Sequence, residues 1–290
     1  MASPREIRRR IRSVRNISQI TRAMEMVSAS KMRRAQQRVL ASRPYAERLQ
    51  AVIGDLASLQ ADREALTQFP LLAQREIRRS EVILLTPDKG LTGPLNSNII
   101  RRATRYVLNE AGVPVRVVAA GKKGRDFMIR TRQDVVAEFT GLGDNVTLDD
   151  LRPIAQVALD DFLSGRVDAV YVVFARFVNT LSQVPEVRQI LPIVAPEGAG
   201  AYTDYIFEPS PEVVLESLLP RFVEIQIYQA MLESIASEHS ARMVAMRNAS
   251  QNARDLVSDL TLSYNKARQA LITREVAEIA AGANALGGRK

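Results

Sequence analysis

Residues 221–281, RFVEIQIYQAMLESIASEHSARMVAMRNASQNARDLVSDLTLSYNKARQALITREVAEIAA, run for sixty-one positions without a glycine or a proline. At about 1.5 Å per residue, an unbroken helix over that stretch spans roughly 90 Å. A compact chain of 290 residues has a radius of gyration near ~19 Å, hence a diameter of roughly 50 Å. Such a helix cannot be housed in its own globule; it must protrude, and a protruding helix needs a partner. Alternate steps of four and three from Leu218 pick out Leu218, Phe222, Ile225, Gln229, Leu232, Ala236, His239, Met243, Met246, Ser250, Ala253, Val257, Leu260, Tyr264, Ala267 and Leu271. Thirteen of these sixteen are apolar, where random choice at 46% apolar content gives about seven. A 3.5-residue period held this long predicts a left-handed coiled coil. The seam fails at Arg274 and Glu278, and the stripe moves over by one to Ile272, Val276, Ile279, Ala283 and Leu286. That shift predicts the point where the partner helix ends and the surroundings change.

The N-terminal segment supplies the partner. Ser3, Pro4 and Glu6 form a capping-box pattern with proline at the first helical position. Residues 5–43 contain no glycine or proline. The apolar stripe is Ile7, Ile11, Val14, then Ile17, Ile20, Met24, Val27, then Met32, Ala35, Val39, so it slips by one residue and returns. Past Pro44, which is expected to bend or loosen the helix, it resumes at Ala46, Leu49, Ile53 and Leu56.

Between the helices the texture changes. Segments 81–86 (EVILLT), 113–119, 135–139 and 168–178 read as strands, with helices over about 96–110, 122–132 and 148–163. Segment 183–193 alternates like an antiparallel neighbour of 168–178, and 202–207 returns the chain to the long helix. The expected fold is an α/β insert, a small Rossmann-like sheet domain without a nucleotide motif, on a long antiparallel two-helix coiled coil. The expected domains are 1–60, the N-terminal coiled-coil helix; 75–208, an α/β globular foot; and 209–290, the C-terminal helix and tip.

Composition narrows function. There is no cysteine, so no disulfide, thiol switch or cysteine-ligated metal, and the single histidine, His239, leaves little for imidazole catalysis. No apolar run approaches the ~18 residues of a spanning helix, and no basic-then-apolar leader is visible. Residues 1–50 carry thirteen Arg and Lys against three acids, a local net charge of +10 that exceeds the +8 of the whole chain. A basic helix suits a solvated face, a nucleic acid or an acidic protein surface. Composition does not choose among the three, although aromatic residues at 5% are sparse for base stacking.

Two glycine-bearing loops invite a phosphate reading. Residues 86–93 (TPDKGLTG) and 121–124 (GKKG) both lack the spacing of a P-loop or a dinucleotide fingerprint. Tight strand-to-helix turns explain them. His239 falls on the seam, where a packed, register-setting polar residue is the plain reading. No catalytic constellation, metal ligand set or cofactor site emerges; cofactors are expected to be none.

The terminal segments carry a resemblance. Residues 7–34 read IRRRIRSVRNISQITRAMEMVSASKMRR; residues 238–286 include EHSARMVAMRNASQNARDL, LTLSYNKARQALITREVAEI and AAGANAL. With DKGLTGPLN at 88–96 and DYIFEP at 204–209, these strongly resemble the gamma subunit of the F-type, proton-translocating ATP synthase over essentially the whole chain. The resemblance implies a non-catalytic central stalk. Its paired helices turn inside a ring of three alpha and three beta subunits, and its foot binds the epsilon subunit and the membrane ring of c subunits. Catalysis lies in the partners, and rotation couples proton flow to ATP synthesis. The expected location is peripheral, on the cytoplasmic face of a bacterial plasma membrane. A basic coiled-coil nucleic-acid-binding protein is the alternative reading.

Matching positions carry the family's contacts over. Arg268 and Gln269 look like contacts to a catch loop of beta, with Thr273 and Glu278 nearer the tip. Met24 is implied to face Arg268 and Gln269 and to tune coupling. Lys31 and the N-terminal arginines would pass acidic levers of beta, and Asp88 and Lys89 belong to a loop, 88–93, that resembles one lying near that lever. Tyr205 and Glu208 belong to the foot segment against the membrane ring. Thr92 stands where many relatives have cysteine, and the regulatory insertion of chloroplast gamma subunits is missing, so no dithiol switching is expected.

Overall fold

The computed structural model describes residues 3–59, 69–194, 208 and 210–287. In chain order the elements are α1 (Pro4–Leu59), β1 (Ser80–Leu85), α2 (Leu95–Arg105) continued by a π-helical turn (Tyr106–Glu110), β2 (Val115–Ala120), α3 (Lys122–Arg130), β3 (Asp134–Phe139), α4 (Leu148–Leu163), β4 (Ala169–Phe177), β5 (Gln183–Leu191) and α5 (Pro211–Gly287). The capping box forms: Ser3 N–H donates to the Glu6 carboxylate at 3.1 Å, and Glu6 N–H donates to Ser3 Oγ at 3.3 Å. Helix α1 runs on through Pro44. The expected segment 202–207 lies outside the described residues.

The sheet has the order β3-β2-β1-β4-β5. β1 to β4 are parallel and β5 is an antiparallel edge strand, as the alternation of 183–193 predicted. All six residues of β1 are buried, because a central parallel strand is covered on both faces. Val82 and Leu84 point to one face, under Leu95, Ile99 and Ala103 of α2 and Met128 of α3. Ile83 and Leu85 point to the other, where Leu151, Ile154 and Phe162 of α4 meet Ala46, Leu49 and Ile53 of α1 and Leu215, Leu219 and Val223 of α5. Each fully buried aliphatic side chain contributes roughly 1.5–3 kcal/mol, so these helix segments are part of the sheet's core.

The chain forms two compact units: residues Met1–Val27 with Met243–Lys290, and residues Ser28–Arg242. In the first, α1 and α5 pair antiparallel. The α5 side is the predicted heptad: Met243, Met246, Ser250 and Ala253 are buried, and Val257, Leu260, Tyr264 and Ala267 are half-buried. Leu271 is 45% exposed, so the seam ends where the sequence stripe shifts.

The α1 side differs from expectation. The predicted one-residue slip is absent. Ile7, Ile11, Val14, Ser18 and Thr21 keep the 4–3 spacing, while Ile17, Ile20 and Val27 are 50%, 59% and 55% exposed. Small hydroxyl residues fill the seam because the backbones approach closely. Ser18 Oγ donates to the Ser250 carbonyl and Ser250 Oγ to the Ser18 carbonyl, both at 3.4 Å. Thr21 Oγ1 donates to the Ile17 carbonyl at 3.0 Å, which satisfies a buried hydroxyl within its own helix.

One buried acid stands out in the second unit. Glu81 on β1 is fully buried and its carboxyl oxygens find no hydrogen-bond donor. Burial, foremost, and the neighbouring Asp161 push its carboxyl up to about 8. Asp161 is itself held by Arg116 and Arg166. The folded chain therefore keeps a proton that an unfolded chain releases near its ordinary value. The stability this proton contributes is present below the unfolded value and is lost as pH rises through about 8. Glu81→Gln should flatten the fall in stability between pH 5 and pH 8 by on the order of 2–4 kcal/mol, measured by urea denaturation. Parallel pH profiles for the variant and the parent would rule this out.

Candidate interaction surfaces

The last described part of α5 has no partner among the described residues. Every residue from Arg268 to Ala283 is exposed. Arg268, Gln269 and Thr273 make no side-chain bond among the described residues, and Glu278 accepts from Arg274 Nε at 2.8 Å. That pair is 78% and 63% exposed, so it contributes at most a few tenths of a kcal/mol. Beside them Leu271, Ile272, Val276 and Ile279 are 45–72% exposed. Arg268, Ile272, Val276 and Ile279 share one helical face. A continuous apolar stripe of this kind marks a surface that another polypeptide covers.

On α1 the outward face is both basic and apolar. Arg8, Arg9, Arg12, Arg15 and Arg22 are exposed and make no ion pair among the described residues. Ile17, Ile20 and Val27 lie between them. Met24 is half-buried beside Glu25, whose Oε1 accepts from Arg247 Nε at 2.8 Å. The structure does not place Met24 opposite Arg268 and Gln269, as the resemblance implied. The seam sets Ser18 against Ser250 and Glu25 against Arg247. Arg268 is twenty-one residues beyond Arg247, about 30 Å further along the helix.

Three predicted contact residues, Lys31, Asp88 and Lys89, converge in the second unit. They line a cleft of about 150 Å3 at the carboxyl ends of β1, β2 and β3, together with Asp144, His239 and Arg242. Lys31 Nζ donates to Asp144 Oδ2 at 2.6 Å, and His239 Nε2 lies 3.0 Å from Asp144 Oδ1. Against the burial that pushes it up, the Lys31 ammonium and His239 hold the Asp144 carboxyl below its ordinary value. Burial, foremost, lowers the imidazole of His239, which is only 2% exposed. His239 is thus a packed residue that ties α5 to the loop after β3.

Asp88 is a loop clamp. Its two oxygens accept from the backbone N–H groups of Lys122 and Gly141, both at 2.8 Å. Lys89 is exposed and its carbonyl accepts from Asn96 Nδ2 at 3.3 Å. Arg242 Nη2 donates to the Gly90 carbonyl at 3.3 Å and to Glu238 Oε1 at 2.6 Å. Asp144, Glu238 and Arg242 were missed in the sequence because these bonds close across 95 to 152 residues, or sit unremarked on a helix.

The 121–124 turn is explained by packing. Gly121 has φ +112°, and a Cβ there would overlap the Thr86 carbonyl; a Cβ on Gly124 would meet Thr86 Oγ1 at 2.8 Å and Leu84 Cδ2 at 2.9 Å. Gly124 N–H donates to Thr86 Oγ1 at 2.8 Å. The glycines let β1 and α3 touch. In the foot segment, Glu208 is exposed and Tyr205 lies outside the described residues. No helix is long and apolar enough to cross a membrane among the described residues.

A protein-family profile described as ATP synthase matches residues 3–286. The chain is 59% identical over 290 residues to the ATP synthase gamma chain of Roseiflexus castenholzii, covering 99% of each, and 54% identical to that of Chloroflexus aurantiacus with the same coverage. Among solved structures, the central stalk of Tetrahymena thermophila mitochondrial ATP synthase is similar at 25% identity and a TM-score of 0.60, covering 80% of this chain and 99% of that one. A chain of the Euglena gracilis mitochondrial ATP synthase shares the fold at 20% identity and a TM-score of 0.69, covering 99% and 96%. These relatives give no support to the nucleic-acid reading. This chain belongs to the gamma chains of ATP synthase.

Proposed function

We propose that this chain is the non-catalytic central-stalk rotor of an ATP synthase. It couples rotation of a membrane ring of c subunits to ATP synthesis and hydrolysis in a hexamer of three alpha and three beta subunits. The observation that carries the reading is the last part of α5, wholly exposed from Arg268 to Ala283 yet striped with Leu271, Ile272, Val276 and Ile279. An apolar stripe with no partner among the described residues fits a sleeve formed by other subunits. The uncompensated arginines of α1 fit acidic segments of that sleeve. Because the tip has different residues on each side, its rotation presents each beta subunit with different contacts in turn. That difference in interaction free energy biases the catalytic sites among their conformations.

In this reading Arg268, Gln269, Thr273 and Glu278 touch beta at the tip, and Met24 lies lower, beside the Glu25–Arg247 pair. Asp88 holds the loop that presents Lys89. Lys31 acts first as an internal partner of Asp144 and second as part of that surface. The foot binds epsilon and the c ring, with Glu208 and Tyr205 in the contacting segment. The chain's own place is peripheral to the membrane, on the cytoplasmic face of a bacterial plasma membrane.

Native mass spectrometry of the chain mixed with purified alpha and beta subunits tests the reading. One copy bound per alpha–beta hexamer is expected. A chain that stays monomeric while the hexamer forms without it would contradict the proposal. Met24→Lys should also lower ATP-driven proton pumping about tenfold, since a new ammonium competes with Arg247 for Glu25 and turns an extra cation toward the sleeve. Pumping at the parent rate would dismiss that role for position 24.

A further inference from the structure

We propose that His239 is an acid-sensitive latch: uptake of a proton on its ring makes Arg242 let go of the loop after β1, residues 86–94. The device is built into the chain itself and stands apart from the stalk reading. All its parts lie in the second compact unit, Ser28–Arg242. His239 and Arg242 are on α5, Lys31 is on α1, Asp144 is in the loop after β3, and Gly90 is in the loop after β1.

The bonds on the ring fix where its proton sits. Nε2 lies 3.0 Å from Asp144 Oδ1, and Nδ1 lies 3.4 Å from Arg242 Nη1. A guanidinium can only donate, so Nδ1 must accept. The proton of the neutral ring is therefore on Nε2, where it donates to Asp144. A second proton has to enter at Nδ1, facing the N–H groups of Arg242. That turns a hydrogen bond into a meeting of two donors and two cations. Water cannot screen it, because His239 is 2% and Arg242 9% exposed.

The charges around the ring come from every element packed against it. Helix α5 supplies Glu238 and Arg242, joined at 2.6 Å. Helix α1 supplies Lys31, 2.6 Å from Asp144, and Arg38, which donates to the Asp144 carbonyl at 3.1 Å. The loop after β1 supplies Asp88 and Lys89. Asp88 is occupied by the backbone N–H groups of Lys122 and Gly141. Asp144 and Glu238 each already hold a cation, so an imidazolium is a surplus charge. Burial, foremost, together with Arg242 and Lys31, outweighs Asp144 and Glu238 and holds the imidazole below its ordinary value. Arg242 is the member that yields, since the imidazolium keeps its bond to Asp144.

What Arg242 holds is under strain. Its Nη2 donates to the Gly90 carbonyl at 3.3 Å. The next residue, Leu91, sits at φ +64° with its side chain 61% exposed. A leucine adopts that conformation only where its surroundings impose it, and a side chain this exposed supplies little packing to do so. The Gly90 tether and the Asn96 bond to the Lys89 carbonyl impose it instead. A loop held against its own preference, by a bond that one proton removes, is poised to relax. The tethered form excludes the proton. Tethering is therefore complete above the ordinary histidine value of about 6.5 and weakens as pH falls below it. Acid around the chain is read out as release of a loop from the long helix.

His239 is the only histidine and the chain has no cysteine, so the full chain accepts two site-specific probes. With isotope-labelled histidine, NMR should show the Nε2–H tautomer at about pH 7.5 and protonation only below the ordinary value. A nitroxide on Leu91→Cys should be restrained at about pH 7.5 and become mobile as pH falls from about 6.5 to about 5. The restrained-to-mobile ratio should drop by up to about tenfold per pH unit, the signature of one proton. A nitroxide on Leu163→Cys, 52% exposed at the far end of α4, should not respond. In a His239→Gln chain the amide keeps a donor and an acceptor but takes up no proton, so the Leu91 probe should stay restrained throughout. An Nδ1–H tautomer, or a ring already protonated at about pH 7.5, overturns the proposal. So does a Leu91 probe indifferent to pH, an equal response at Leu163, or a response that survives His239→Gln.

Discussion

Arg268→Ala combined with Gln269→Ala is expected to lower ATP-driven proton pumping about tenfold or more, while stability stays within about 0.5 kcal/mol of the parent chain. Both side chains are exposed and neither bonds to anything among the described residues. Alanine is at least as good a helix former as either residue, so nothing among the described residues loses by the change. Any loss of coupling must come from contacts outside the chain. An interfacial arginine that anchors a partner contributes about 2 kcal/mol or more, some thirty-fold in an equilibrium. Pumping by inverted vesicles and thermal unfolding of the purified chain separate the two effects. A variant that pumps normally removes these two residues from the coupling surface. A variant that unfolds more easily places their role inside the chain.

Gly121→Ala should have the opposite signature: a loss of stability of about 4 kcal/mol or more, with the tip unaffected. Gly121 sits at φ +112° and ψ 141°, a region open to glycine alone. Its N–H donates to the Phe139 carbonyl at 2.8 Å, and the Thr86 N–H donates to the Ala120 carbonyl at 2.8 Å. The turn is thus stitched to β1 and β3 at once. A methyl group there would overlap the Thr86 carbonyl, and relief requires β1 and β2 to part where both are fully buried. Because a domain's net stability is only about 5–15 kcal/mol, the variant should be largely insoluble or melt far below the parent. A urea midpoint equal to the parent's would mean that the turn relaxes without disturbing the sheet.

Much of this architecture was legible because it is periodic. The α5 seam from Met243 to Ala267 follows the heptad read from residues 218–271, and α4 spans the segment its pattern suggested. The edge strand β5 was legible from its alternation. What misled was the habit of following apolar residues. Ile17, Ile20 and Val27 face outward, while Ser18 and Thr21 pack inward. Close helix contact favours small side chains over greasy ones, and a serine whose hydroxyl bonds across the seam costs little to bury. Apolarity on the outer face then answers to a partner outside the chain.

The contact surface was legible only in part. The exposed tip and its stripe follow from the seam's failure at Arg274 and Glu278. The Lys31–Asp144–His239 cluster does not, because it joins α1, a loop and α5 across 95 and 113 residues. Asp88 was assigned by resemblance to a loop near the lever of beta; its bonds to the Lys122 and Gly141 backbones close across 34 and 53 residues and leave no local signal. Met24 was placed by resemblance alone; the Glu25–Arg247 bond sets its neighbours. The buried state of Glu81 could not be read from EVILLT, where a charged residue at a strand's start resembles an exposed one.

Single-molecule rotation tests the rotor reading most directly. The chain has no cysteine, so one cysteine introduced at exposed Leu181 can carry the only thiol-attached probe. With the alpha–beta hexamer fixed to a surface and ATP supplied, the probe should turn in one direction and pause three times per revolution, once for each beta subunit. ATP hydrolysis by the assembled complex with a stationary probe would contradict the rotor account.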